Sequence, residues 1–317
     1  MFELILPHLP PRFQEAILSP DYSEICVNEN GRVFVEAVGS NAMLELAGIA
    51  PTQAQLHHAV NAMARTLAHR EADETNPILN ARLPDGSRVA AMLPPVTEGV
   101  VVTIRKFRPN WFTLEELVAN GTLSFVFYDH LMRAVERREN ILISGPTGSG
   151  KTTLVKALLD SIPEEERVIL IEDTAELPLQ RPNCVRFTAR EGVSIRDLLK
   201  ASLRHRPDRI VVGEVRDGAA YDLLQALNTG HAGSISTLHA SSAAHALNRL
   251  ARLALQADTG LPFASIQSEI GDAIQYVAHM ERRGSRRQII ELIRITGFHS
   301  ESGSWQLTPV SGDPICK

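Results

Sequence analysis

Gly145-Pro146-Thr147-Gly148-Ser149-Gly150-Lys151-Thr152-Thr153 satisfies the whole pattern G-x-x-x-x-G-K-[ST], and its flanks are the ones that pattern needs. The preceding Asn140-Ile141-Leu142-Ile143-Ser144 reads as a buried parallel strand, and the following Leu154-Val155-Lys156-Ala157-Leu158-Leu159 as a helix. Glycines let the backbone wrap closely around phosphate groups, while successive N–H groups and a helix N-terminus supply positive potential. In such a loop Lys151 reaches the β- and γ-phosphates and Thr152 ligates Mg²⁺. The stretch is therefore read as the seat of a nucleoside triphosphate rather than as a Gly-rich turn that binds nothing.

Outward from the loop, apolar stretches alternate with helical ones. Residues 140–144, 168–172, 185–188, 209–213 and 234–238 read as strands, and such alternation argues for an α/β fold with a mainly parallel sheet flanked by helices. Ligands of open α/β sheets sit at the carboxyl ends of the strands. Arg209-Ile210-Val211-Val212-Gly213-Glu214 delivers a carboxylate there, able to order Mg²⁺ or its waters or to take a proton from an attacking water. Alone, Glu214 reads equally well as a solvated strand end; beside the loop, the functional reading is preferred. Val168-Ile169-Leu170-Ile171-Glu172-Asp173 repeats the design with two acids, although Asp173 before Thr174 also suits a local turn cap. His231, flanked by Gly230 and Gly233, and His239, after the strand at 234–238, bring imidazoles to the sheet edge, where one could sense a γ-phosphate. Spacing alone does not separate that role from packing.

A chain of 317 residues suits two domains. Its 44% hydrophobic and 22% charged content is that of a globular protein, and a net charge of −5 argues against a strongly basic nucleic-acid surface. Cys26, Cys184 and Cys316 are far apart with no C-x-x-C pair, which implies free thiols in a reducing compartment and no zinc site. No apolar stretch is long enough to span a bilayer, and Met1-Phe2-Glu3-Leu4-Ile5-Leu6-Pro7 lacks the basic start of a secretory signal. A cytoplasmic protein is expected.

The first hundred residues read as an α+β module. Glu24-Ile25-Cys26-Val27 and Val33-Phe34-Val35-Glu36 flank Asn28-Glu29-Asn30-Gly31, a hairpin signature. Leu56, Val60, Met63 and Leu67 recur at helical spacing after Pro51-Thr52. Residues 80–83 and 88–93 form a second hairpin around Pro84-Asp85-Gly86-Ser87, and Val100-Val101-Val102-Thr103-Ile104 closes the module. The expected division is 1–106 for an N-terminal α+β domain, 107–112 for a linker and 113–317 for the second domain, which opens on the capping box Thr113-Leu114-Glu115-Glu116.

Five segments then occur in a specific order: Thr103-Ile104-Arg105-Lys106-Phe107, the loop at 145–153, Ile171-Glu172-Asp173-Thr174-Ala175-Glu176-Leu177, Arg206-Pro207-Asp208-Arg209-Ile210-Val211-Val212-Gly213-Glu214-Val215-Arg216, and residues 229–240. Together they resemble the type II/type IV secretion ATPase superfamily, and within it the TrbB-like conjugative-transfer ATPases of type IV secretion systems. The resemblance covers nearly the whole chain, from the hairpin at 28–31 to Phe298. It implies an N-terminal α+β domain joined by a linker to a C-terminal RecA-like P-loop ATPase domain, hexameric rings, and nucleotide held between the domains. Residues 145–153 match the Walker A loop, Glu172 the Asp box, Glu214 the Walker B strand and His239 the His box. Arg88 and Arg105 match arginines that the family's N-terminal domain brings to the phosphates, offsetting charge on the transferring phosphoryl group. Implied catalytic residues are Glu214, Glu172, Lys151, Arg88, Arg105 and His239; Thr152, Glu214 and Glu172 are the implied Mg²⁺ and water ligands. The proton acceptor is open between the two acids. His205 stands where the family often has Met, and Asp217 follows Arg216 where it often has Gly; neither removes a phosphate or metal ligand.

The leading expectation is a homohexameric motor using ATP and Mg²⁺. It would act on inner-membrane components of a secretion or conjugation channel, cytoplasmic or peripheral at that membrane, with no sequence-specific nucleic-acid binding. The alternatives are a Flp/tight-adherence pilus ATPase of the same superfamily and a nucleotide-gated scaffold without turnover. A DNA-translocating helicase lacks the basic–aromatic runs that stack strands. The dense basic stretch Arg282-Arg283-Gly284-Ser285-Arg286-Arg287 is expected to be a solvated hairpin turn.

Overall fold

The computed structural model describes residues 6–38, 40, 42–67, 71–107, 111–178, 180–190, 192–284, 286–299 and 302–311. The chain forms two compact units, Met1–Asn110 and Trp111–Lys317. Their division falls inside the stretch 107–112 expected as a linker, of which 108–110 lie outside the described residues.

Alternation builds the first unit. Its elements are α1 (Pro11–Leu18), β1 (Tyr22–Val27), β2 (Val33–Ala37), β3 (Met43–Glu45), α2 (Gln53–Leu67), β4 (Ile78–Arg82), β5 (Arg88–Met92) and β6 (Val101–Arg105). The strands make one antiparallel sheet, in the order β3-β2-β1-β6-β5-β4. Ile25 and Val27, Val33 and Val35, Val89 and Ala91, and Val102 and Ile104 point to one face, where they bury against Leu56, Val60 and Met63 of α2. A period of two on the strands thus meets a helical stripe. The turn at 28–31 closes through Gly31 N–H donating to Asn28 O (2.8 Å), and Gly31 takes the φ of +79° that a Cβ would disfavour.

In the second unit the central strands are buried on both faces. Its elements are α3 (Leu114–Ala119), α4 (Phe125–Glu136), β7 (Ile141–Ser144), α5 (Lys151–Asp160), β8 (Val168–Glu172), β9 (Cys184–Thr188), α6 (Ile195–Ser202), β10 (Arg209–Val212), α7 (Ala219–Asn228), β11 (Ile235–Leu238), α8 (Ala243–Leu255), α9 (Phe263–Ala273), β12 (Tyr276–Arg283), β13 (Arg286–His299) and β14 (Ser304–Pro309). The sheet order is β14-β13-β12-β7-β11-β10-β8-β9, parallel from β12 to β9, with β13 and β14 antiparallel at one edge. Helices α3, α4 and α5 cover one face through Leu117, Leu131, Leu154 and Leu158, and α6 to α9 the other through Leu199, Leu223, Leu250 and Ile270. Thr113 and Glu116 form both halves of the expected capping box.

Two features were not read from the sequence. The strand candidates stop at residue 238, yet the sheet continues through β12, β13 and β14. β12 buries His279 to 1% exposure between Ala278 and Met280, so a polar residue interrupts the apolar run that would have announced a central strand. Arg209, at the start of β10, is also 1% exposed; its guanidinium donates to both oxygens of Glu166 (2.6 and 3.0 Å) and to Val135 O (2.8 Å). A buried charge persists only when paired in this way.

Candidate active site

A parallel sheet sets the carboxyl ends of β7, β11, β10 and β8 side by side, and each end contributes one piece. Ser144 ends β7, and the chain turns at once into the glycine loop. Gly145, Gly148 and Gly150 adopt φ of +150°, +73° and +100°. A Cβ at Gly145 would collide with Met280 O on the neighbouring β12, so backbone proximity requires glycine there. Gly150 caps α5 without a side-chain hydrogen bond, leaving the first N–H groups of the helix available to an anion.

Lys151, only 8% exposed, turns back over the loop: Nζ donates to Gly145 O (2.8 Å) and Pro146 O (2.9 Å) and lies 3.4 Å from His239 Nδ1. A lysine ammonium only donates, so that last contact uses the Nδ1 lone pair and leaves Nε2–H facing Glu214 Oε1 at 3.3 Å. Lys151, His239 and Glu214 thus form one row across the ends of three adjacent strands. Glu214 accepts two hydrogen bonds from Arg216, at 2.8 and 3.0 Å, and Arg216 also lies 3.3 Å from Asp173. Burial raises the Glu214 carboxyl, but Arg216, His239 and Lys151 outweigh it and hold the group below the ordinary carboxylate value.

Glu172, at the end of β8, is in a different setting. It is 3% exposed; Oε1 accepts from the backbone N–H groups of Glu176 (2.9 Å) and Leu177 (3.0 Å), and Oε2 lies 3.0 Å from Arg186 Nε. Burial pushes its pKa above the ordinary range despite those amides and Arg186. The carboxylate that Thr152 reaches is Glu176, with Oγ1 3.5 Å from Oε2. Glu176 lies inside a segment that carries the family resemblance, but the spacing gave it no role; the turn held by Glu172 is what brings it to the loop.

The structure gathers the loop at 145–153, Lys151, Thr152, His239, Glu214 and Glu172 at one end of one sheet. His231 sits apart, its Nδ1 3.2 Å from Ala226 O at the end of α7. Arg88 and Arg105 belong to the first unit, where they face each other across one rung of β5 and β6. Cys26 and Cys184 are free, and Cys316 lies outside the described residues. No described helix is long and apolar enough to cross a membrane.

The basic stretch at 282–287 departs from expectation. It does form a turn between β12 and β13, but Arg282 and Arg287 are half-buried, and Arg287 Nε donates to Gly148 O of the phosphate loop at 2.9 Å. The ladder alternates side chains between faces, so only half of the cluster is solvated.

The loop suits a nucleotide polyphosphate on its own chemistry. A nearly buried lysine is held by two backbone carbonyls, and the buried Ser149 Oγ makes no hydrogen bond among the described residues. A glycine loop of this kind on a central strand of a mostly parallel sheet marks the class: the second unit is a RecA-like nucleotide-binding domain. The family model described as "Type II/IV secretion system protein" matches residues 12–288, and the chain belongs to that family. The "Conjugal transfer protein TrbB" of Rhizobium radiobacter is 38% identical over 281 residues, covering 87% of this chain and 84% of its own length. The "Type IV secretion system protein PtlH" of Bordetella pertussis is 36% identical over 308 residues, covering 86% and 90%. Among solved structures, the VirB11 ATPase from the Brucella suis type IV secretion system, in complex with sulphate, superposes with a TM-score of 0.51 at 31% identity, over 92% of this chain and 94% of that one.

Proposed function

We infer that the chain is an ATPase whose hydrolysis of ATP powers a type IV secretion or conjugative-transfer system. It works with Mg²⁺ as a homohexameric ring, at the cytoplasmic side of the inner membrane, on membrane components of the channel. Family membership and the conjugal-transfer and type IV secretion relatives support the system served. The observation that carries the catalytic reading is the row Lys151–His239–Glu214 across the ends of β7, β11 and β10.

On this reading the residues divide the work. The N–H groups of 145–153 cradle the phosphates, and Lys151 exchanges the carbonyls of Gly145 and Pro146 for β- and γ-phosphate oxygens. Thr152 would hold Mg²⁺, with Glu176, Glu172 and Glu214 acting through its waters; the ion, when bound, neutralises phosphate charge. Glu214, ionised and half-buried, takes the proton of a water as its oxygen bonds to the γ-phosphorus and the β–γ bridging oxygen leaves with ADP. His239, touching both Lys151 and Glu214, couples the acid to the presence of the γ-phosphate. Arg88 and Arg105 supply guanidinium charge to the phosphates during the cycle.

The test is steady-state ATPase activity with Mg²⁺ across protein concentration, beside size-exclusion light scattering. Turnover per chain should rise as hexamers form and drop by about 10²-fold or more in Lys151→Ala, as losing one phosphate-directed donor does elsewhere. A monomer that binds ATP without turnover would instead make the chain a nucleotide-gated scaffold.

A further inference from the structure

The turn between β12 and β13 carries four arginines, and the ladder sorts them. Arg282 pairs with Arg287 and Arg283 with Arg286. Directly paired residues share a face and successive ones alternate, so the two pairs look in opposite directions. Arg283 and Arg286 are exposed, and Arg282 and Arg287 are half-buried. The half-buried pair meets the phosphate loop, which lies 139 residues earlier in the chain. Arg287 Nε donates to Gly148 O at 2.9 Å, and its Cδ lies 3.2 Å from where a Cβ on Gly150 would stand, beside Met280 at 3.3 Å. Arg282 Nη1 is the nearest atom to the Cα face of Gly148, 4.0 Å from a Cβ built there. Arg282 also lines, with Pro146, His239, Ser241, His279 and Glu281, a cleft of about 480 Å³ beside the loop. Glu281 lies 3.3 Å from Arg283 and 3.8 Å from His279 Nε2. Two guanidinium groups facing each other on one rung repel. A polyphosphate laid in the loop offers both an opposite charge.

We propose that Arg282 and Arg287 form a basic wall of the nucleotide site supplied by the same chain, in which Arg287 sets the geometry of the phosphate loop and Arg282 faces the terminal phosphate. The role of Arg287 follows from peptide planarity. In a trans peptide the C=O and N–H point in opposite directions. Arg287 holds the Gly148 carbonyl on the hairpin side, so the N–H of Ser149, in the same peptide, points into the loop. There it donates to Pro146 O at 3.4 Å, the same oxygen that accepts from Lys151 Nζ at 2.9 Å. One carbonyl thereby gathers two donors that a phosphate oxygen takes in the bound loop. Arg287 is a positioning residue, acting through the 148–149 peptide; Arg282 is a binding residue for the γ-phosphate, on the side of the loop where Pro146 and His239 lie.

The inference rests on the nucleotide reading above, and the test separates the two. Affinities for ADP, a non-hydrolysable ATP analogue and inorganic phosphate are measured on the full chain at low and high salt, with Lys151→Ala as reference. Arg287→Ala should weaken ADP and the ATP analogue alike by about tenfold, as expected for loss of one charge-assisted hydrogen bond. That loss should persist at high salt, and Arg287→Lys should recover part of it. Arg282→Ala should weaken the ATP analogue and phosphate more than ADP. Arg283→Ala and Arg286→Ala, on the solvent face, should bind as the parent does. Equal losses in all four variants, or losses that vanish at high salt, would reduce the wall to general charge and overturn the proposal. So would an Arg287→Ala chain that melts earlier but binds normally. A parent chain that binds no better than Lys151→Ala would overturn the nucleotide reading itself.

Discussion

At the end of β8 an apolar run delivers Glu172, and on the adjacent strand the apolar run of β10 delivers Glu214 just beyond its last residue. From the sequence the two acids are near copies. In the fold, Glu172 is sealed at 3% exposure, with Oε1 accepting from the Glu176 and Leu177 amides and Oε2 within ion-pair distance of Arg186. Glu214 stays partly open, with Arg216 on both oxygens, the His239 ring facing Oε1 and Lys151 beyond it. The neighbours move the two pKa values in opposite directions, which is how one fold obtains two acids with different tasks. Glu172 shapes the turn that carries Glu176 to Thr152; Glu214 is the more open, ionised group.

The largest effect should separate them in turnover. Glu214→Gln should cut the ATPase rate by about 10²–10⁴-fold, the usual worth of a general base, while ATP affinity stays near the parent's. An unchanged rate would hand the proton to Glu172 and undo the contrast. Next in size is stability. Glu172→Ala strands two buried amides and leaves Arg186 without its carboxylate, at a cost of about 1–3 kcal/mol in urea unfolding, whereas Glu214→Ala, at a more open position, should cost less. Equal costs would mean that Glu214 is as structural as Glu172.

The smallest effect is a difference in pH dependence. Glu172 is raised above its ordinary value of 4.5, so the folded chain holds that proton more tightly than the unfolded one. Its contribution therefore favours the fold at low pH and is lost as pH rises from 4.5 through the raised value. Glu214 is lowered below 4.5, so its contribution is present above 4.5 and is lost as pH falls through the lowered value. Stability measured against pH should decline less steeply above 4.5 in Glu172→Gln, and less steeply below 4.5 in Glu214→Gln, than in the parent. Changes on the same side of 4.5 would break the comparison.

Some of this was legible in the residues and some was not. The stretch 168–172 read as a strand and is β8 to the residue; 140–144, 185–188, 209–213 and 234–238 each came within one residue of β7, β9, β10 and β11. Most of these strands are covered on both faces, so burial writes an unbroken apolar run into the local sequence. β12 carries the buried His279, held by Ser144 Oγ at 2.9 Å, and its polar residues hid the strand. Glu176 gave no signal, because its place beside Thr152 depends on a turn tied to Glu172. The basic stretch gave its charge and its turn, but not the face on which each arginine lies.

By itself the sequence determined the nucleotide loop, the parallel strands that flank it, the two acids at strand ends and the family. Those features are local: a phosphate loop needs glycines and a lysine at set spacing, and a doubly covered strand needs consecutive apolar residues. Only the tertiary structure decided which acid is sealed and which stays partly open, that Glu176 meets Thr152, and that Arg287 grips Gly148 across 139 residues of chain. Such outcomes depend on desolvation and on charges brought close by folding, and neither is written into the spacing of neighbouring residues.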